Sequence, residues 1–136
     1  MAGYSETPLP RKLGIKDGDR LALLDAPAGF DVTLGELPRV GTVRTDARAR
    51  VDVAVCFVTA RAALERRFDP LKRAIFPHGG LWIAWPKRSG GKRTDLTEDV
   101  VRELALSNRL VDNKVAAVDE TWSGLQLVIR LADRPG

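Results

Sequence analysis

The sequence predicts an α/β protein: a mostly parallel sheet of about six strands, helices on both faces, and an antiparallel hairpin at the C-terminal end. Three observations carry this. Residues 81–85, Leu-Trp-Ile-Ala-Trp, form a run apolar on both faces, led in by Pro77, His78, Gly79 and Gly80 and closed by Pro86. A strand apolar on both faces is covered on both faces, as in the centre of a parallel sheet flanked by helices. Residues 20–25 and 51–58 have the same character. At the end of the chain, residues 110–119 and 122–131 are two strand-like runs separated only by Glu120 and Thr121, which reads as a hairpin.

Taken in order, Thr7, Pro8 and Gly14 give a helix cap, a first helical position and a stop around a short helix, 8–13. Residues 1–14 are expected to form a lid over one end of the sheet. Asp17, Gly18 and Asp19 make a turn before the strand 20–25, placed centrally. Ala26, Pro27, Ala28 and Gly29 form the loop after it. Residues 30–37 read as a short helix weakened by Gly35, and 40–45 as an edge strand. The strand 51–58 follows too soon for a crossover helix and a further strand to intervene, so a unit common in larger α/β sheets is missing. Residues 60–76 are amphipathic, with Ala63, Leu64, Phe68, Leu71 and Ile75 at helical spacing; Asp69-Pro70 marks a place where that helix could break in two. After the central strand comes a loop carrying Lys87, Arg88, Gly90, Gly91, Lys92 and Arg93, then a helix from about Thr97 to near Asn108. Asp95 or Thr97 is its cap, Glu98 and Asp99 fill its first turn, and Val100, Val101, Leu104 and Ala105 face the core. Residues 132–136 read as a tail. Right-handed crossovers and the forced return of the hairpin give the spatial strand order second, first, third, fourth, sixth, fifth, all parallel except the last in sequence.

At 136 residues the chain has the size of one domain, 1–136. Its 44% hydrophobic and 29% charged residues are those of an ordinary globular protein. No apolar run is long enough to span a bilayer, and Glu6, Pro8 and Pro10 interrupt any signal-like segment, so the expected location is cytoplasmic. The single cysteine, Cys56, excludes an internal disulfide and sits in an apolar run, where it reads as a buried inert thiol. One cysteine and one histidine, His78, argue against a metal site. The net charge of +4 and pI near 9.6 invite a nucleic-acid reading. The distribution opposes it. Arg44, Arg48 and Arg50 border Asp46 and Asp52, and Arg61, Arg66, Arg67, Lys72 and Arg73 share a stretch with Glu65 and Asp69, which is how solvated faces look. Only the cluster from Lys87 to Arg93 has no acid within it, and no aromatics are interleaved as stacking platforms. Nucleic acid is therefore disfavoured as a partner, with a basic nucleic-acid- or anion-binding protein kept as an alternative.

The order of elements resembles the class I methyltransferase fold, a Rossmann-like sheet that binds S-adenosylmethionine and ends in a reversed hairpin, here in reduced form. Residues 20–25 resemble its first strand, and 52–58 the strand that begins with an acidic residue. Phe76-Pro77-His78-Gly79-Gly80-Leu81-Trp82 resembles its Pro-x-Gly-Gly approach to the next strand. More closely, residues 4–131 resemble a small bacterial family catalogued as a domain of unknown function. The matching stretches include Tyr4-Ser5, Thr7-Pro8-Leu9, Lys12-Leu13-Gly14-Ile15-Lys16, Trp85-Pro86-Lys87, Asp95, Thr97-Glu98 and Asp119-Glu120-Thr121-Trp122-Ser123-Gly124-Leu125. That family brings no established activity.

The chain departs from the methyltransferase pattern where the cofactor would sit. The loop there is glycine-rich so that the backbone can approach the ligand; here it is Asp25-Ala26-Pro27-Ala28-Gly29-Phe30. Val43, Arg44 and Thr45 stand where a carboxylate would hold ribose hydroxyls, with Asp46 beyond. S-adenosylmethionine binding is therefore possible and not favoured, with Asp25, Pro27, Gly29 and Thr59 as the candidate cofactor residues. His78 belongs to a turn at the amino end of a strand, opposite the edge where open α/β sheets bind ligands, and reads as structural. Ser123 with Asp119 has no histidine to complete a triad, and the catalytic residues stay unassigned.

Instead, the topology gathers Trp85, Lys87, Asp95, Asp119, Glu120, Trp122 and Ser123 on one carboxyl-side rim, expected to bind a small molecule or a protein partner. The tryptophans would supply apolar contact there and the charged residues polar contact. Alternatively, Trp85 and Trp122 pack the lid of residues 4–13. Two functions follow: a non-catalytic or degenerate methyltransferase-like module that binds or regulates, or a small S-adenosylmethionine-dependent methyltransferase completed by a partner.

Overall fold

The computed structural model describes residues 7–135; Tyr4 and Ser5 of the expected lid lie outside the described residues. The chain runs α1 (Leu9–Lys12), β1 (Arg20–Leu24), α2 (Phe30–Leu34), β2 (Thr42–Arg44), β3 (Val53–Phe57), α3 (Arg61–Ile75), β4 (Gly80–Pro86), α4 (Glu98–Ser107), β5 (Leu110–Ala117) and β6 (Trp122–Ile129). Among the described residues these make one six-stranded sheet ordered β2-β1-β3-β4-β6-β5. β1 pairs in parallel with β2 and β3, and β3 with β4; β6 runs antiparallel to both β4 and β5. Order and directions are those expected.

The pleat divides the core into two layers. On one face Leu24, Cys56, Ile83, Trp85 and Leu125 pack under the buried stripes of α3 and α4; on the other, Leu21, Val55, Phe57, Trp82 and Trp122 pack with Leu13, Phe30 and Leu34 from the α1 and α2 side. β4 is buried over its whole length because it carries both layers. Trp82 fixes the N-terminal segment to the sheet: its indole N–H donates to the Leu13 carbonyl at 2.9 Å.

Several elements differ from expectation in extent. α3 is one continuous helix through Pro70. Proline removes one N–H and crowds the preceding turn, but Leu64 and Phe68 before it and Leu71, Ala74 and Ile75 after it are all buried on the same sheet face, which holds both halves in line. α2 stops at Leu34 because Gly35, at φ +76°, turns the chain out of the helix. β2 is three residues long and mostly exposed; among the described residues it lies at the sheet's edge and pairs only with β1. The hairpin strands are shorter than expected, and the tail begins with a 3-10 turn at Leu131–Asp133.

The amino edge is held by an ion pair and by a close backbone approach. Asp52 accepts from the Arg20 backbone N–H at 2.7 Å and from its guanidinium at 3.1 Å, and that guanidinium holds the Asp52 carboxyl below its usual range. A methyl group on Gly79 would meet the carbonyl oxygens of Ile75 and Val51 at 2.8 and 2.9 Å. The Pro-x-Gly-Gly segment thus lets the end of α3 pass directly over the start of β3.

Candidate functional site at the carboxyl edge

The carboxyl ends of β1, β3 and β4 and the β5–β6 turn come to one edge of the sheet. After β1 the chain turns sharply. Asp25 takes φ +57°, a left-handed conformation that aspartate tolerates better than most residues, and Gly29 at φ +84° starts α2. The Asp25 carboxylate forms an ion pair with Arg67 of α3, so the loop after β1 is tied across the edge to the helix after β3.

Two clefts on this edge meet at Thr59. The first, about 560 Å3, is lined by Asp25, Phe57, Val58, Thr59, Arg66, Arg67, Pro70 and Trp122. Its floor is apolar: Phe57 stands edge-to-face against Phe30 and Trp122, at 4.8 and 5.1 Å between ring centres. The second, about 600 Å3, is lined by Thr59, Ala60, Arg88, Lys92, Arg93, Thr94 and Asp95. Thr59 borders both.

The expected site residues divide between these clefts, the turn and the core. Thr59, Asp25 and Trp122 line the first cleft and Asp95 the second. Pro27 and Gly29 lie in the loop after β1 and line neither cleft. Asp95 does not cap α4. Thr97 does, its hydroxyl accepting from the Val100 N–H at 3.2 Å, while the Asp95 carboxylate accepts from the Arg61 N–H at 2.8 Å, at the start of α3. Thr94 links the same segments, donating to the Thr59 carbonyl at 2.6 Å. Asp119 builds its own turn, accepting from the Thr121 and Trp122 N–H groups, both at 2.8 Å. Lys87 is tied to that turn through its backbone, which donates to the Thr121 carbonyl at 2.8 Å. Glu120 is exposed at the tip.

The two tryptophans do not share a surface. Trp85 pairs with Ser123 and Pro86 with Trp122, so the two rings project to opposite faces, and they are only 5% and 6% exposed. Contact with the lid falls to Trp82, through its bond to the Leu13 carbonyl; Trp122 lies in the same layer, against Phe57. Trp85 is a core residue beneath α3 and α4.

The features missed by sequence reading are the two α3 arginines that line the first cleft. Arg66 and Arg67 follow Ala63 on α3 and precede Pro70 on the rim; the charge interleaving of residues 61–73 obscured that they face a cleft. Arg88, Lys92 and Arg93 do stand out as the acid-free cluster, and the structure sets them beside Thr59. Among the described residues, no three or more His, Cys, Asp or Glu side chains gather as a metal site requires, and no helix is long and apolar enough to cross a membrane.

The residues at this edge do not fit S-adenosylmethionine as the resembled fold would hold it. The carboxylate after β1 is engaged by Arg67. Asp46, beyond β2, accepts from the Arg44 side chain at 3.0 Å and the Arg48 N–H at 3.0 Å. The intervening loop carries proline and alanines in place of glycines.

No family model matches the sequence, and no curated protein matches it. Solved structures do resemble it in fold. An S-adenosylmethionine-dependent methyltransferase from Aquifex aeolicus superposes with a TM-score of 0.64 at 16% identity, over 88% of this chain and 87% of that one. The 1,6-didemethyltoxoflavin-N1-methyltransferase of Burkholderia thailandensis, with bound 1,6-didemethyltoxoflavin and S-adenosylhomocysteine, gives 0.61 at 15% identity over 88% and 73%. Fibrillarin from Aeropyrum pernix, bound to S-adenosyl-L-methionine, gives 0.56 at 15% identity over 93% and 70%. The chain therefore has a class I methyltransferase-like fold, the fold expected from the order of its elements.

Proposed function

We propose that this protein is a non-catalytic, degenerate form of the methyltransferase-like fold that binds a ligand or partner at its carboxyl edge and acts as a binding or regulatory module. The observation that carries the reading is the Asp25–Arg67 ion pair, which closes the loop after β1 onto α3 and engages the carboxylate that stands there. The proline and alanines of that loop, and an Asp46 already held by Arg44 and Arg48, support it. The site comprises Asp25, Thr59, Lys87, Asp95, Asp119, Glu120, Trp122 and Ser123, with Asp95 and Asp119 shaping its walls through their backbone bonds. The reading includes membership of the small bacterial family that residues 4–131 resemble.

The test is a thermal-shift and calorimetric screen with S-adenosylmethionine and S-adenosylhomocysteine, paired with a methyl-transfer assay using labelled cofactor. A ligand of the native state must raise the melting temperature. Neither compound is expected to shift it, and no labelled product is expected. Micromolar affinity for S-adenosylmethionine overturns the reading in favour of a transferase.

A further inference from the structure

We infer that the ligand of the carboxyl edge is a nucleotide-type anion: a small molecule with a flat ring body and two or more phosphates. This rests on the reading of that edge as a binding site, and it adds the chemistry.

Charge is the first argument. Arg66, Arg67, Arg88, Lys92 and Arg93 line the two clefts against only Asp25 and Asp95. Both acids are already engaged, Asp25 by Arg67 and Asp95 by the Arg61 N–H. The cations left over are Arg66, Arg88, Lys92 and Arg93, none of which pairs with an acid among the described residues. The neighbouring cleft beyond Arg67 and Pro70 adds Arg48 and Arg73, while its acid, Asp46, is held by Arg44 and the Arg48 N–H. Cations in a cleft with low-dielectric walls focus a positive field and attract anions. The N-terminus of α3 is not what binds, because Asp95 already covers it.

Shape is the second. The first cleft joins two arginines to an apolar floor of Phe57, Val58, Pro70 and Trp122, and its volume falls in the range of small-molecule sites. The second cleft is lined by charged and polar side chains apart from Ala60. Thr59 is common to both, so one molecule can lay a ring in the first cleft and run its phosphates toward Arg88, Lys92 and Arg93. S-adenosylmethionine, with a positive sulfonium and amine, is poorly matched to this field. A long nucleic-acid strand is also disfavoured, because the aromatic rings at this edge are buried in the floor and give no exposed series of stacking surfaces.

The experiment is calorimetry on the full chain at low salt with ATP, adenosine, inorganic tripolyphosphate, S-adenosylmethionine and a single-stranded RNA. ATP should bind more tightly than adenosine or tripolyphosphate. Arg66→Glu and the double variant Lys92→Glu with Arg93→Glu should each weaken ATP about tenfold or more while melting as the wild type does. Arg11→Glu, on the exposed side of α1, should leave binding unchanged. Three results overturn the inference: no binding of ATP up to millimolar concentration, tripolyphosphate binding as tightly as ATP, or RNA binding in preference to ATP with loss in all three variants alike. Micromolar S-adenosylmethionine overturns the underlying reading as well, whereas the three results above overturn only the inference, so the two failures are distinct.

Discussion

Burial pushes the Cys56 thiol up from 9.0 to about 12, against the opposing charge of Arg67. The folded state therefore holds the proton more tightly than the unfolded one, and the corresponding stability is present below pH 9 and is lost as pH rises toward 12. We predict that a thiol reagent at pH 8 leaves the native protein unlabelled and modifies one thiol per chain in denaturant; rapid native labelling would contradict the burial. Asp119 shows a different kind of residue effect. Its carboxylate satisfies two N–H groups of the β5–β6 turn, so Asp119→Ala should cost about 1–3 kcal/mol in chemical denaturation, and Asp119→Asn, which keeps an acceptor oxygen, clearly less. Equal losses would mean that the charge, and not the turn, is what matters. The role of Cys56 could be read from its apolar neighbours in sequence. That of Asp119 could not, because an acid before Glu-Thr-Trp looks the same whether it faces a ligand or caps its own turn.

Elements whose character depends on local pattern were legible: the buried strands, the amphipathic α3, the hairpin. Those decided by tertiary contact were not. Asp69-Pro70 reads as a place where the helix could break, yet α3 runs on through it with buried residues on both sides. Asp95 and Thr97 both read as caps of the helix that follows them; Thr97 fills that role, while Asp95 accepts from the first N–H of α3, 34 residues earlier. Glycines divide in the same way. Gly79→Ala forces a methyl against two backbone carbonyl oxygens that cannot swing aside, and we predict a loss of about 2 kcal/mol or more. Gly29→Ala meets nothing within 4 Å and opposes only a positive φ, for about 1 kcal/mol. Urea unfolding of both variants checks the order; a larger loss at Gly29 would show that backbone conformation outweighs the close approach at Gly79.

At the scale of the molecule, the absent helix and strand leave the sheet lopsided. β3, β4 and β6 sit between two apolar layers, whereas β2 contributes three mostly exposed residues, with Val43 49% exposed. This asymmetry was readable from the short interval between residues 45 and 51. The rim's composition was readable in part: the topology placed Asp25, Thr59, Asp95 and Trp122 there, whereas Arg66 and Arg67, carried in by the long helix α3, gave no sign of it in sequence. Local stability follows buried contact, which sets the last prediction. In native-state hydrogen exchange, the amides of β4 and β3 should open only with global unfolding, while those of β2 and residues 45–50 exchange through low-energy local opening. Residues 59–67 and 88–95 should fall between, since their backbone is held by Asp95 and Thr94 at the open edge. Protection of β2 equal to that of β4 would refute this ordering. A ligand seated in the two clefts should then slow exchange at 59–67 and 88–95 and leave β2 unchanged; slowing confined to β2 would put the site at the other end of the sheet.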